Sequence, residues 1–296
     1  MQRKFRNQFT RSKTRSSGGF FLSSGRLRPV ALASVSLAFL LSGSCFAASP
    51  QNPDEWVFAS AVSSSYGWGK SLRGWESTRL AIQTTLTAWQ QSPASQPDGM
   101  AARDPSPTGL KQFLQHLPGP DSGKIEIIYL AAKHTPTGAW QFTGKDSGAV
   151  TWNELLQIAP SSHPCRLVIL DVCHAAAVIK FPVWTQKMGA AATLLASARD
   201  EVTWELDFTK RQPVDLPARF PAAAAWLRQH LPASWDGRLS YLGLIWVQAF
   251  LQSPQPPQTL RQWQTFFARC EMESRKFQQV VGHKRASTIS QFPLAP

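Results

Sequence analysis

The sequence lacks the short motifs that mark several large enzyme classes. It contains no Cys-x-x-Cys pair, no His-Glu-x-x-His sequence, no glycine-rich phosphate loop and no Gly-x-Ser-x-Gly element. These absences argue against a zinc centre, a P-loop nucleotide hydrolase and a serine hydrolase with a nucleophile elbow. No internal repeat is present either, which argues against a solenoid. We therefore expect neither a metal nor a cofactor.

Acidic residues are scarce, with 18 Asp and Glu against 31 Lys and Arg. Residues 1–28 carry eight basic residues and no acidic one, residues 30–41 are apolar, and residues 42–48 are mostly small. A basic flank, a short apolar core and small residues predict a secretory signal peptide over 1–47. Acylation of Cys45 and an uncleaved N-terminal anchor are the alternatives. The apolar stretch is shorter than the roughly 20 residues of a membrane-spanning helix, so we expect no permanent membrane span.

Removal of this segment changes the meaning of the net charge. Eight of the +13 charges belong to it, which leaves +5 for the rest of the chain. No basic cluster with interleaved aromatic residues remains, which argues against nucleic-acid binding. The remaining 249 residues are enough for one domain with a single core. We predict a periplasmic or secreted domain over residues 48–296.

Cysteine is also rare, and three cysteines follow the predicted signal peptide: Cys165, Cys173 and Cys270. An odd number in an exported protein predicts at least one free thiol. Cys165 and Cys270 could form a disulfide in an oxidising compartment, or both could be small buried residues. Cys173 differs from them because it is flanked by polar Asp171 and His174, where an apolar strand should end.

Apolar runs alternate with segments of helical periodicity along the chain, which predicts an α/β sandwich with a mostly parallel central sheet flanked by helices. The best-supported core is 55–206, and 220–282 is predicted to be mainly helical. The predicted strands are 55–63, 124–132, 165–172 and 189–198; the predicted helices are 72–90, 110–117, 152–158, 174–181, 221–231, 239–251 and 259–281; the predicted irregular segments are 91–107, 207–219 and the tail after 281.

A thiol and an imidazole follow two of the predicted strands. Cys173 directly follows strand 165–172, and His134 comes two residues after strand 124–132. In a parallel sheet the carboxyl ends of neighbouring strands lie at one edge, where ligands bind. A nearby imidazole activates a thiol by favouring the thiolate. This arrangement predicts a Cys–His nucleophilic pair in a cysteine hydrolase, with His174 as a competing base.

Two further groups could assist such a pair. The backbone amides of Cys173 and Thr135 could form an oxyanion hole, in which each donor contributes about 3 kcal/mol. Asp171 is expected on the same face as Cys173, because side chains alternate along a strand. Its carboxylate could bind a cationic substrate group or cap the following helix.

These residues resemble the caspase-like cysteine peptidases, in particular bacterial caspase-domain proteins and metacaspases. In that family one strand ends in Ser/Ala-Gly-His-Gly and a later strand ends in Asp-x-Cys-His-Ser/Ala-Gly. Here residues 131–135 read Ala-Ala-Lys-His-Thr, and residues 170–176 read Leu-Asp-Val-Cys-His-Ala-Ala. Residues 194–205 are similar to the family's strand ending in Ser-Ala/Gly with an acidic loop after it, and residues 72–80 to its first helix. The resemblance covers residues 55–206.

The resemblance implies a caspase-like fold and an endopeptidase with His134 as general base and Cys173 as nucleophile. Asp171 would line a pocket for Arg or Lys before the cleaved bond, so the partner is a peptide or protein with a basic residue there. Ser197 and Ala198 would border the substrate. Some metacaspases depend on calcium, so the resemblance leaves such a dependence open for this chain.

The chain departs from the family pattern where the family has glycine. Lys133, Thr135 and Ala176 stand at these positions, and a positive φ is costly without glycine. A catalytically degenerate caspase-fold binding module of the cell envelope is therefore the alternative function. A different acyl transferase or thiol hydrolase on a similar sheet is a third hypothesis. For the active peptidase we also predict self-cleavage at Lys210 or Arg211, in the segment 207–219.

Overall fold

The computed structural model describes most of the chain after the predicted signal peptide, within the unit Leu40–Pro296. The predictions for residues 1–47 lie outside the described residues, as does Cys165. The described residues are 56–63, 65–66, 70–71, 73–90, 100–117, 125–134, 139–141, 149–151, 154, 166–176, 190–197, 204–210, 214–253, 255–281 and 287–293.

The described strands are β1 (Trp56–Val62), β2 (Ser65–Tyr66), β3 (Lys70–Ser71), β4 (Met100–Arg103), β5 (Ile125–His134), β6 (Ala139–Gln141), β7 (Ala149–Thr151), β8 (Arg166–Val172), β9 (Ala190–Leu195), β10 (Glu205–Asp207), β11 (Arg238–Ser240) and β12 (Ser290–Pro293). Six of them form the main part of an eight-stranded sheet, in the order β12-β9-β8-β5-β1-β4. Neighbours in this order are parallel except β12, which runs antiparallel to β9 at one edge. Strands β6 and β7 extend the sheet from the end of β5 as antiparallel strands. The predicted α/β class with a mostly parallel sheet is confirmed.

The described helices are α1 (Arg73–Gln90), α2 (Pro107–Gln115), α3 (Leu216–Arg219), α4 (Pro221–His230), α5 (Tyr241–Leu251) and α6 (Leu260–Val281). Local sequence explains where several of them begin. The hydroxyl of Ser106 accepts a hydrogen bond from the amide of Gly109 and caps α2, which has a proline in its first turn. Ser240 caps α5 in the same way through the amide of Gly243. Such caps satisfy amides that have no partner within the helix.

The sheet carries apolar clusters on both faces, which explains why β8 is buried along its whole length. On one face Ile169 belongs to a cluster that includes aromatic residues of α5 and α6, such as Trp246 and Phe267. On the other face Leu170 belongs to a cluster that includes Leu110 of α2. Alternate residues of one strand therefore contribute to two cores, as the pleat requires.

The sequence predicted the central elements well and the edge elements poorly. Four predicted strands are confirmed: 55–63 as β1, 124–132 as β5, 165–172 as β8 and 189–198 as β9. The predicted and observed ends differ by no more than two residues, except at the end of β9, where they differ by three. Residues 151–154 form a capping box, since the Glu154 carboxylate accepts from the Thr151 amide and the Thr151 hydroxyl accepts from the Glu154 amide.

Three predicted irregular segments contain regular structure. Strand β4 and the start of α2 lie within 91–107, helix α3 lies within 207–219, and β12 lies in the tail. The short strand β11 interrupts the region predicted to be mainly helical. Each of these strands has at most four residues, so its pairing depends on a distant partner rather than on a local hydrophobic pattern. Predicted helices 152–158 and 174–181 lie largely outside the described residues.

A close approach between α5 and α1 yields a testable prediction. A Cβ atom on Gly243 would lie 2.5 Å from the Thr78 hydroxyl and 2.9 Å from the Leu239 side chain. We expect Gly243→Ala to lower the free energy of unfolding by about 2 kcal/mol, because the overpacked helices must separate. Urea unfolding followed by circular dichroism measures this change.

The matched control is Gly109→Ala in α2, where the added Cβ would stay 3.4 Å from its nearest neighbour. This substitution is expected to be neutral or to stabilise by up to about 1 kcal/mol, since alanine favours helix more than glycine does. Equal effects of the two substitutions would contradict the close packing of α5 on α1.

Candidate functional site

The carboxyl ends of β5 and β8 meet at one edge of the sheet. The strands pair in parallel over seven residues, from Glu126 opposite Arg166 to Ala132 opposite Val172. His134 is the last residue of β5, two residues beyond Ala132, and Cys173 follows Val172 directly. The two strand ends that were predicted to be neighbours are therefore neighbours. The structure describes the backbone of His134 and not the position of its ring.

The chain leaves the sheet in a tight turn immediately after Cys173, which is half-buried. His174 has a φ of 57°, in the left-handed region that side chains other than glycine rarely adopt. Such a conformation costs of the order of 1 kcal/mol and persists where surrounding contacts impose it. The strained residue therefore adjoins the candidate nucleophile.

Ser197, after β9, supplies the contacts that hold this turn. Its hydroxyl donates to the carbonyl of Val172 and accepts from the amide of Ala175, both at 2.9 Å, and its carbonyl accepts from the amide of Ala176 at 3.1 Å. These bonds bracket Cys173 on both sides in the chain. Ser197 is fully buried, so both side-chain bonds are internal, and its predicted contact with substrate stays a prediction.

Asp171 lies at the centre of a buried hydrogen-bond network. Its Oδ2 accepts from the Tyr129 hydroxyl at 2.8 Å and from the Ser240 hydroxyl at 2.5 Å. Thr78 of α1 donates to the Ser240 hydroxyl at 2.8 Å and accepts from the Ser240 amide at 2.9 Å. The network joins β5, β8, α1 and the start of α5, so it fixes the carboxylate from four elements.

The second carboxylate oxygen of Asp171 has no hydrogen-bond partner among the described residues, although Asp171 is 0% exposed. Burial raises the pKa of this carboxyl to about 6, and the bonds from Ser240 and Tyr129 oppose that rise. Asp171 was alternatively expected to cap the following helix. Its Oδ2 instead accepts hydrogen bonds from the side chains of Tyr129 and Ser240. A buried acceptor without a partner is costly, so a donor that reached Oδ1 would remove this cost.

Tyr129 and Ser240 were not singled out from the sequence. Tyr129 is one of three tyrosines in the chain and lies in an otherwise apolar strand, which is a signal for a buried hydroxyl with a partner. Ser240 lies 69 residues from Asp171 and carries no such signal.

The remaining predicted residues divide into described and undescribed ones. Lys210 is exposed and forms an ion pair with Asp207 at 3.2 Å. Thr135, Ala198 and Arg211 lie outside the described residues, so the predicted oxyanion hole stays a prediction. Cys270 is a free, fully buried thiol whose pKa is raised by burial, and the suggested disulfide with Cys165 is not formed.

Two properties of the described residues bear on cofactors and membranes. They include no group of three or more His, Cys, Asp or Glu side chains placed to hold a metal ion. No helix within the described ranges combines the length and apolar character needed to cross a bilayer.

Comparisons with known proteins give a weak structural similarity. No protein-family model matches the chain, and no curated protein matches it. Among solved structures, the chain aligns with Chaetomium thermophilum Raptor at a TM-score of 0.42 and 13% sequence identity. The alignment covers 81% of this chain and 27% of the Raptor chain, so this chain corresponds to about a quarter of that protein's length. A likeness of this degree assigns neither a family nor a function.

The raised pKa of Asp171 predicts a pH dependence of stability. Its ordinary pKa is 3.8, and the folded protein raises it to about 6, so the folded state binds the proton more tightly than the unfolded state. The free energy of unfolding should therefore fall as pH rises from about 4 to 6. The largest expected decrease is about 3 kcal/mol. Asp171→Asn, which carries no titrating proton, should show a flatter curve in urea unfolding across this range. Parallel curves for the two proteins would contradict the internal position of the carboxylate.

Proposed function

We propose that this chain is a caspase-like cysteine endopeptidase that cleaves after arginine or lysine. The proposal rests above all on the parallel pairing of β5 and β8, whose carboxyl ends carry His134 and Cys173. Neighbouring strands lie about 4.8 Å apart, so side chains at adjacent strand ends reach one another without a large loop. The half-buried position of Cys173 is compatible with attack on a peptide that lies along the edge.

In the proposed reaction His134 accepts the proton of the Cys173 thiol, and the thiolate attacks the carbonyl carbon of the peptide bond. A carbon–sulfur bond forms, the carbon–nitrogen bond breaks, and His134 returns the proton to the leaving amine. Water, deprotonated by the same imidazole, then attacks the acyl-enzyme. The carboxylic acid leaves, and the thiol recovers its proton.

The rigid turn around Cys173 supports this chemistry. A nucleophile must be held close to the productive geometry, and a turn fixed by Ser197 from both sides limits the movement of the sulfur. The left-handed conformation of His174 directs the chain away from the edge immediately after the cysteine. Strain of this kind occurs at functional sites, where surrounding contacts over-determine the backbone.

The unpaired oxygen of Asp171 supports the proposed preference for a basic residue. A guanidinium or ammonium group could donate to Oδ1 while Tyr129 and Ser240 keep Oδ2 in place. A cation would also favour the ionised carboxylate, which burial disfavours. Because Asp171 is fully buried, the substrate side chain would have to displace the groups that cover it.

Covalent labelling tests the proposed nucleophile. A thiol-reactive peptide ketone that ends in arginine should modify Cys173, and Cys173→Ala should abolish the labelling seen by intact-mass spectrometry. His134→Ala should slow it by about 100-fold or more, since general acid–base groups contribute factors of this size.

Cys270→Ala is the matched control for that experiment. Cys270 is the other cysteine among the described residues, and it is fully buried. This variant should label as the wild type does. Labelling that survives Cys173→Ala would contradict the proposed nucleophile. A folded wild type that does not react would favour the alternative function, a caspase-fold binding module.

Self-processing is the second expected activity. Lys210 presents a side chain that is 69% exposed in an irregular segment, and Arg211 follows it. On incubation, the wild type should generate new N-termini after Lys210 or Arg211, whereas Cys173→Ala should stay intact. The double variant Lys210→Ala/Arg211→Ala should resist cleavage there and still react with the peptide ketone. Equal cleavage of wild type and Cys173→Ala would attribute the cut to another protease.

A further inference from the structure

A cavity of about 510 Å³ lies beside the start of α1, between that helix, the end of β4 and the segment that precedes β11. Its size falls within the range of ligand pockets in proteins. Its wall combines apolar surface with charged groups, and the residues that matter here are Arg73, Glu76, Arg103, Leu231, Trp235 and Asp236.

The charges around this cavity do not balance. Both carboxylates are neutralised by arginines: Glu76 by Arg79 at 2.7 Å, and Asp236 by Arg73 at 3.3 Å and Arg238 at 3.8 Å. Arg103 is exposed, and no ion pair or hydrogen bond joins its side chain to the described residues. The cavity therefore offers one guanidinium whose charge is uncompensated there.

The apolar part of the cavity wall strengthens the attraction between Arg103 and an anionic ligand. Leu231 is buried, and Trp235 is half-buried with its indole N–H bonded to the carbonyl of Arg238 at 2.6 Å. A ligand in contact with this surface loses part of its water shell, and an ion pair is stronger where water is excluded. The combination suits a short acidic side chain carried on a peptide.

Sheet register places Arg103 at the same edge as the candidate cysteine. Arg103 pairs with Val62, Val62 with Ala131, and Ala131 with Asp171. Three strand spacings separate Arg103 from Asp171, which amounts to about 14 Å. An extended peptide advances about 3.3 Å per residue, so this distance corresponds to about four residues.

We propose that this cavity is a second substrate-binding site, in which Arg103 binds an aspartate or glutamate about four residues from the cleaved bond. The assignment of a substrate rests on the proposed peptidase function, and the acidic preference rests on the cavity itself. The preferred substrate would then carry a basic residue at the bond and an acidic residue at a fixed distance from it.

Peptide binding to the Cys173→Ala variant tests the site without requiring catalysis. Fluorescein-labelled peptides would carry one arginine and, about four residues away on either side, an aspartate or its asparagine counterpart. Fluorescence anisotropy should show about fivefold tighter binding of the aspartate peptide, the effect of one partly exposed charge-assisted bond. Adding Arg103→Gln should remove this preference, and Arg103→Glu should transfer it to a lysine at the same position.

Arg228→Gln is the matched control. Arg228 is likewise exposed, has no ion pair among the described residues, and lines a different cavity. It should leave the preference intact. Equal binding of the two peptides, or a preference that survives Arg103→Gln, would overturn the proposed site even in an active peptidase. A preference that depends on Arg103 in a protein that neither cleaves nor labels would support the site and refute the peptidase function.

Discussion

The parallel pairing of β5 and β8 is the constraint on which the candidate site depends. At the far end of the paired region, Arg166 and Glu126 form a fully buried ion pair at 2.5 Å. Breaking such a pair by removing one partner is strongly destabilising, because it leaves a buried charge without compensation. A shift of one residue would break this pair and turn alternate side chains to the wrong face. The register that places Cys173 beside the end of β5 is thus fixed about 20 Å away, because six residue steps of β8 separate Arg166 from Val172.

The buried network around Asp171 connects this strand pair to the helices that cover it. Ser240 caps α5, donates to Asp171 and accepts from Thr78 of α1, so one hydroxyl links helix initiation, helix packing and the position of the carboxylate. The glycine at position 243 lets α5 approach Thr78 closely enough for these bonds. Buried polar networks of this kind specify one arrangement, because every alternative leaves costly groups unsatisfied.

The carboxyl edge of the sheet carries two different kinds of charge. An acidic group, Asp171, lies at the end of β8; its Oδ1 has no partner among the described residues, and its Oδ2 accepts from Tyr129 and Ser240. A basic group, Arg103, lies at the end of β4, in register with Asp171 across the sheet. In our proposals Asp171 and Arg103 bind two side chains of one extended substrate peptide. The distance between the two residues therefore sets which peptides are selected. The rigid sheet keeps that separation constant, since it is a property of strand pairing.

The sequence alone determined the mostly parallel α/β class, the central strands and the two residues, His134 and Cys173, that end two of them. It could do so because long apolar runs bounded by polar residues are local patterns. Only the tertiary structure decided that β12 and β4 form the edges, that Ser197 braces the cysteine turn, and that Ser240 and Tyr129 hold Asp171. These contacts join residues 22 to 69 positions apart through single hydrogen bonds. A bond between distant polar side chains leaves no periodic trace in the sequence, because its geometry is set by the packing of the elements that carry it.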